Sequence, residues 1–173
     1  MYDMDISSGD GLTHLYYSKG DELWPFGFGL SYTSFSYDWS AATATRIDDA
    51  APITTADLVA ATGQGPIGYE CTVKNTGTVA GDAVVLGFAN STDPQFPREK
   101  LFDFERIALG PGESMTVLLT VTAEALSVVE EDGRRWLRAS SFMVLIGDKL
   151  TPAVHTFEVT GDDVLLDDTS RLY

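Results

Sequence analysis

Between residues 67 and 160 the chain repeats one pattern: a short run in which apolar and polar residues alternate, then a cluster of Gly, Pro, Asn or Asp. Alternation with a period of two puts the apolar side chains on one face of an extended strand, whereas a helix needs a period near 3.6. Tyr69, Cys71 and Val73 alternate with Glu70, Thr72 and Lys74 before the turn Asn75-Thr76-Gly77. Met115, Val117, Leu119 and Val121 alternate with Ser114, Thr116 and Thr120 after the turn Gly110-Pro111-Gly112. Leu101–Leu109, Trp136–Arg138, Phe142–Ile146 and Ala153–Val159 read as further strands. Asp82–Ala89 carries Val84, Val85, Leu86 and Phe88, so it is apolar on both sides. Such a strand is buried on both faces, or one face docks on another domain. Thr122–Val129 reads as a short helix with Thr122 as its N-cap. About seven short strands and no sustained helix predict an all-β antiparallel sandwich, with an open barrel as the structural alternative.

The flanks read differently. Residues 1–23 are polar and aperiodic, a linker or the tail of a missing preceding domain. Residues 24–160 hold the sandwich, opening on the aromatic stretch Trp24–Trp39. Within it, residues 41–66 form a long Ala-, Thr- and Gly-rich connection, with one helical turn expected near Asp57–Ala61. Residues 161–173 are acidic and read as a frayed tail.

Composition narrows the chemistry. With 44% hydrophobic and 11% aromatic residues the chain is globular rather than disordered. The net charge of −15 repels phosphate backbones and anionic bilayers, so neither nucleic acid nor membrane is expected as a partner. No stretch reaches the length of a membrane span, and the acidic start Met1-Tyr2-Asp3-Met4-Asp5 lacks the features of a signal peptide. The single cysteine, Cys71, sits at an inward strand position and reads as a buried apolar residue. A nucleophilic role would need a nearby base, and only His14 and His155 are available.

No catalytic constellation stands out. Acid/base hydrolysis by paired carboxylates needs the two groups roughly 5–10 Å apart across the substrate. Tyr37-Asp38-Trp39 superficially resembles an Asp-Trp nucleophile motif, but it falls at the end of a sandwich strand. Glu130, Glu131 and Asp132 read as a solvated cluster beside a turn. Gly27-Phe28-Gly29 lacks the strand and helix that a dinucleotide fingerprint requires. Asp5–Gly11 lacks the ligand spacing and terminal Glu of a calcium loop. No metal and no cofactor are expected. Asn90-Ser91-Thr92 is an N-glycosylation sequon, so Asn90 is a candidate acceptor; the bland reading is a hydrogen-bonded loop. Trp24, Trp39 and Trp136 offer flat faces for sugar rings, although packing is the default role.

Three blocks are more specific. Trp24-Pro25-Phe26-Gly27-Phe28-Gly29-Leu30-Ser31-Tyr32-Thr33-x-Phe35 resembles the PFGxGLSYTxF signature that opens the fibronectin III-like domain of glycoside hydrolase family 3. Val73-Lys74-Asn75-Thr76-Gly77-x-x-Ala80-Gly81-Asp82 is similar to that family's VxNTGxxAGD turn. Leu101-x-x-Phe104-x-Arg106-x-x-Leu109-x-Pro111-Gly112-Glu113 is similar to its LxxFxRxxLxPGE segment. Order and spacing match as well, over residues 12–160, and Phe88–Thr92 with Pro97 and Leu101 favours the β-xylosidase branch. One departure is Arg138-Ala139-Ser140-Ser141, where the family usually has a Pro-Gly turn.

The resemblance implies an immunoglobulin-like or fibronectin III-like sandwich. It also implies an accessory role beside catalytic domains that hydrolyse terminal non-reducing β-D-xylosyl or β-D-glucosyl residues, in a secreted or extracellular parent. The family's nucleophile and acid/base lie outside these blocks, so no catalytic residue is carried over. Trp24, Phe26, Phe28 and Tyr32 are then expected to dock on the preceding domain, and Asn75 with Gly77 to form a structural turn, Gly77 through its tolerance of positive φ. A free-standing carbohydrate- or protein-binding sandwich is the alternative.

Overall fold

The computed structural model describes residues 6, 8–17, 19, 20, 22–38, 44–46, 52–61, 67–147 and 152–168. Two facing sheets dominate. In the first, β4 (Ile67–Asn75) is flanked on one side by β7 (Ser114–Val121) and on the other by β1 (Phe35–Asp38) and β2 (Ala44–Arg46). The second runs in the order β3 (Ile53–Thr54), β11 (Ala153–Thr160), β10 (Ser140–Gly147), β5 (Gly81–Ser91) and β6 (Lys100–Leu109). Strand dominates the described residues and helix is confined to two short segments, as an all-β sandwich requires.

The alternation read from the sequence is what fills the core. Tyr69, Cys71 and Val73 of β4, with Val117, Leu119 and Val121 of β7, face Ala83, Val85, Val144, Ile146, Phe157 and Val159 of the other sheet, and all are buried. Met115 departs from the pattern: it keeps the inward parity, but β7 begins there and leaves it 44% exposed. The strand series predicts one antiparallel arrangement throughout. Among the described residues one pair, β3 with β11, is parallel instead, because the long connection returns alongside β11 before a helical turn.

That connection is more structured than its composition suggests. It contributes β2, β3 and α2 (Thr55–Ala60). Thr54 caps α2 in a reciprocal box: its side chain accepts from the Asp57 N–H, and the Asp57 carboxylate accepts from the Thr54 N–H at 3.0 Å. Thr122–Val129 does not become a helix. The Thr122 hydroxyl accepts from Ala125 N at 3.3 Å as an N-cap would, but the chain closes one turn and leaves at β8 (Val128–Val129). The expected frayed tail is overturned over residues 164–168, and 169–173 lie outside the described residues. Val164–Asp168 forms β12, which pairs with β9 (Arg134–Leu137), and Leu166 packs against the core. β9 in turn pairs with β8, giving a small third sheet.

The N-terminal stretch read as a linker carries one helical turn, α1 (Thr13–Tyr16). It is tied down by Arg98, whose amide donates to Leu15 O and whose guanidinium reaches Tyr17 O at 2.7 Å and Glu22 at 3.0 Å.

Candidate functional site

The three sequence blocks, far apart in the chain, converge on one end of the sandwich. The centre is Asn75, which is fully buried. Its amide group donates to Val79 O at 2.8 Å and Leu109 O at 3.0 Å, while Oδ1 accepts from the Thr33 hydroxyl at 2.7 Å and from Gly77 N at 3.0 Å. Its backbone is used as well: its N–H donates to Glu113 O and its carbonyl accepts from Gly112 N. One residue thus fastens the approach to β1, the β4–β5 crossing and the β6–β7 crossing. Both crossings pass between the sheets, so the hub fixes how the two layers meet. Glu113 closes its own turn by accepting from Gly110 N at 2.7 Å, and Asp82 of β5 pairs with Arg106 of β6 at 2.5 Å.

Gly77 is required for a different reason than its turn position suggested. It is not among the described residues with positive φ. A Cβ there would lie 2.2 Å from Thr33 Oγ1 and 3.0 Å from Ser34 N, so the side chain is excluded by close approach rather than by backbone twist.

Beside this end lies the aromatic segment. Trp24 is 68% exposed and Tyr32 100% exposed, and Leu23 and Leu30 are nearly as open. Trp24 stacks on Phe28 with centroids 4.5 Å apart, and His14 stacks on Phe26 at 3.7 Å. Phe26 meets Phe88 of β5 edge-on at 6.1 Å. Gly27, at φ +88, lies against Leu86, where a Cβ would come within 2.5 Å of its Cδ1. The two-sided apolarity of β5 therefore has a local cause in part: the segment's own Phe26 and Gly27 cover Phe88 and Leu86. Trp24 and Tyr32 stay exposed, and Phe28 is half-buried beside Trp24.

The remaining candidates separate. Asp38 ends β1 as an exposed residue paired with Thr72 in register. Glu130 does not stand free in solvent, since it pairs with Arg138, and Asp132 pairs with Arg134 at 3.4 Å. Arg138, the departure from the family's Pro-Gly turn, gathers Glu130, Gln95, Asp93 at 3.5 Å and Asp163 at 3.8 Å. It joins three segments by charge where a turn was expected, a role that the sequence signals only as a missing Pro-Gly. Asn90 is half-buried on the outer side of β5, and the neighbouring Ser91 and Thr92 hydroxyls bond to Ser140 at 2.8 and 3.0 Å. Trp136 is half-buried against the core, and Trp39 lies outside the described residues. His155 bonds to the Tyr69 hydroxyl at 2.9 Å. Among the described residues no three His, Cys, Asp or Glu side chains are grouped to hold a metal. The Cys71 thiol is pushed up to about 11 by burial and then by the Asp38 charge, which leaves it a poor nucleophile.

Comparison with known proteins places this architecture. A family model for the fibronectin type III-like domain matches residues 84–149. A probable exo-1,4-β-xylosidase of Aspergillus oryzae is 30% identical over 97% of this chain and 22% of its own length. An exo-1,4-β-xylosidase of Emericella nidulans is 33% identical over 96% of this chain and again 22% of its own length. The chain therefore spans about a fifth of the curated relatives it matches. A solved family 3 exo-β-xylosidase bound to a xylobiose aziridine probe superposes on 99% of the chain with a TM-score of 0.78 and 25% identity, covering 24% of that protein. Motifs, fold and alignment agree that this chain is a fibronectin type III-like β-sandwich of glycoside hydrolase family 3, corresponding to the C-terminal region of its β-xylosidases.

Proposed function

We propose that the chain is a non-catalytic accessory module of an enzyme that removes terminal β-D-xylosyl, or alternatively β-D-glucosyl, residues from non-reducing ends, and that Trp24, Phe26, Phe28 and Tyr32 dock on its catalytic domains. The observation that carries this reading is the alignment: nearly the whole chain matches only a fifth of proteins named as exo-1,4-β-xylosidases. The exposed aromatics supply the matching chemistry, since apolar surface of that kind is stabilised by leaving water.

The test is a chimera in which this chain replaces the corresponding fifth of the Emericella nidulans exo-1,4-β-xylosidase. The chimera should hydrolyse an aryl β-xyloside, and the isolated chain should not. Nitrophenol release by the isolated chain that disappears in Asp38→Asn would overturn the reading, as would a chimera that never becomes an active, folded enzyme.

One observation favours carbohydrate contact as a second reading. A cleft of about 410 Å³ is lined by Thr13, His14, Tyr17, Glu22, Trp24 and Phe26, so an aromatic face stands beside hydroxyl and carboxylate groups. Titration with xylo-oligosaccharides should then quench Trp24 fluorescence saturably, and Trp24→Ser should abolish that response. A flat titration removes this second reading.

A further inference from the structure

We propose that the outer face of the β3-β11-β10-β5-β6 sheet is a second and broader docking surface, and that its occupant is the catalytic portion of the family 3 enzyme. The inference rests on the accessory-module reading and extends it from one segment to a whole sheet face. Register carries the argument. Val154 of β11 pairs with Leu145 of β10, Leu145 with Phe88 of β5, and Phe88 with Leu101 of β6. Paired residues share a face, so four apolar side chains line up across four strands. Leu86 opposite Phe104 adds to the row on one side, and Met143 on the other. Phe104, Val154 and Met143 are exposed, at 60%, 51% and 40%.

The other sheet shows what a solvated outer face looks like in the same molecule. Asp38, Thr72 and Thr116 form one row across it, and Ser36, Lys74 and Ser114 another. The two outer faces therefore differ in their middle rows: Leu118 is an exposed apolar residue on the first, whereas on the second Asp82, Arg106, Thr156 and Glu158 flank an apolar middle, a pattern that solvent alone does not explain. The apolar face is continuous with the aromatic segment, because Phe26 sits on Phe88 at its centre.

The choice of occupant follows from length and charge. The relatives extend over four to five times the length matched here, so covalently joined surface is at hand. A second copy is opposed by the net charge of −15 on each chain. Asn90 stands on the same face opposite Met143, and a glycan there would occupy the contact. The test protein is therefore made in bacteria, without glycosylation.

Two methionines provide the measurement. Met143 lies on the apolar face and Met115 at the start of β7 in the other sheet, with nearly equal exposure of 40% and 44%. Peroxide converts accessible Met to the sulfoxide. In the isolated chain both should oxidise at similar rates, read by peptide mass spectrometry. In the active chimera Met143 should slow by roughly tenfold or more while Met115 keeps its rate, the span expected when exposed thioether becomes interface. Met143 reacting as fast in an active chimera, with Trp24 shielded from acrylamide, overturns the sheet-face inference and leaves the accessory reading standing. If neither Met143 nor Trp24 is shielded, both fall. Concentration-dependent protection of Met143 in the isolated chain would identify a second copy as the occupant and also overturn the proposal.

Discussion

Thr33 and Asn75, 42 positions apart in sequence, meet through a 2.7 Å hydrogen bond from the threonine hydroxyl to the asparagine Oδ1. Asn75 is buried, and each of its two amide N–H groups and its Oδ1 is used. Replacing it by Ala leaves the Val79 and Leu109 carbonyls and the Gly77 N–H without their partner. Buried unsatisfied groups cost about 1–3 kcal/mol each, partly relieved by water, so Asn75→Ala should destabilise the chain by about 2–4 kcal/mol. Urea unfolding checks this: the midpoint should fall with little change in slope, and an unchanged midpoint would show the hub to be ornamental.

Gly77→Val tests the close approach itself. The added Cβ collides with Thr33 Oγ1, so a loss of more than about 1 kcal/mol is expected. Gly77→Ala should be damaging too, because the clash begins at Cβ. Combining Gly77→Ala with Thr33→Ala should cost less than the sum of the two, as expected when residues share one contact. Strict additivity would refute the contact as the cause.

Lys100 should make stability depend on alkaline pH. Its ammonium donates to Glu124 O at 2.8 Å and Ser127 O at 2.9 Å, beneath partial cover from Phe96. Burial, then the Arg135 charge, lowers its pKa from 10.5 to about 8, with Glu124 opposing. The unfolded chain therefore binds more protons than the folded one between those values, and stability rises with pH wherever that holds. The penalty is fully present below about 8 and gone above 10.5. Thermal midpoints of wild type and Lys100→Met should differ by a constant below that window and shift in favour of wild type through it. A flat difference across the window contradicts a depressed Lys100.

Cys71 should be inert in the native protein. It is buried and its thiol is raised to about 11, so little thiolate exists at pH 8 and little of it is reachable. Ellman's reagent should react at pH 8 only after denaturant is added, with one thiol appearing along the unfolding curve. Rapid reaction of the native chain would place Cys71 outside the core.

The aromatic segment should bind a hydrophobic dye. Trp24→Ser with Phe28→Ser removes a stacked pair that stands outside the core, so dye fluorescence should drop while the unfolding free energy stays within about 1 kcal/mol of wild type. Phe26→Ser should differ, because it uncovers Phe88 and raises dye binding. Loss of folding in the double variant would make the segment part of this domain's own core.

Strand positions and inward faces were legible in the residues alone, because period-two alternation is a local property of the chain. Tyr69, Cys71, Val73, Val117, Leu119 and Val121 were legible as core on that ground and are core. The aromatic segment was legible too, through the density of Trp24, Phe26 and Phe28 in a few positions. What those local signals serve depends on contacts between distant segments. Alternation cannot tell that Val154, Leu145, Phe88 and Leu101 fall in one row, since register is a relation between strands. Nor can it show that Gly77 serves Thr33, that Arg138 gathers three carboxylates, or that acidic Val164–Asp168 is held as a strand by Arg134–Leu137. Each of these depends on a partner distant in sequence, and a residue's own type and spacing carry no record of which partner the fold will bring to it.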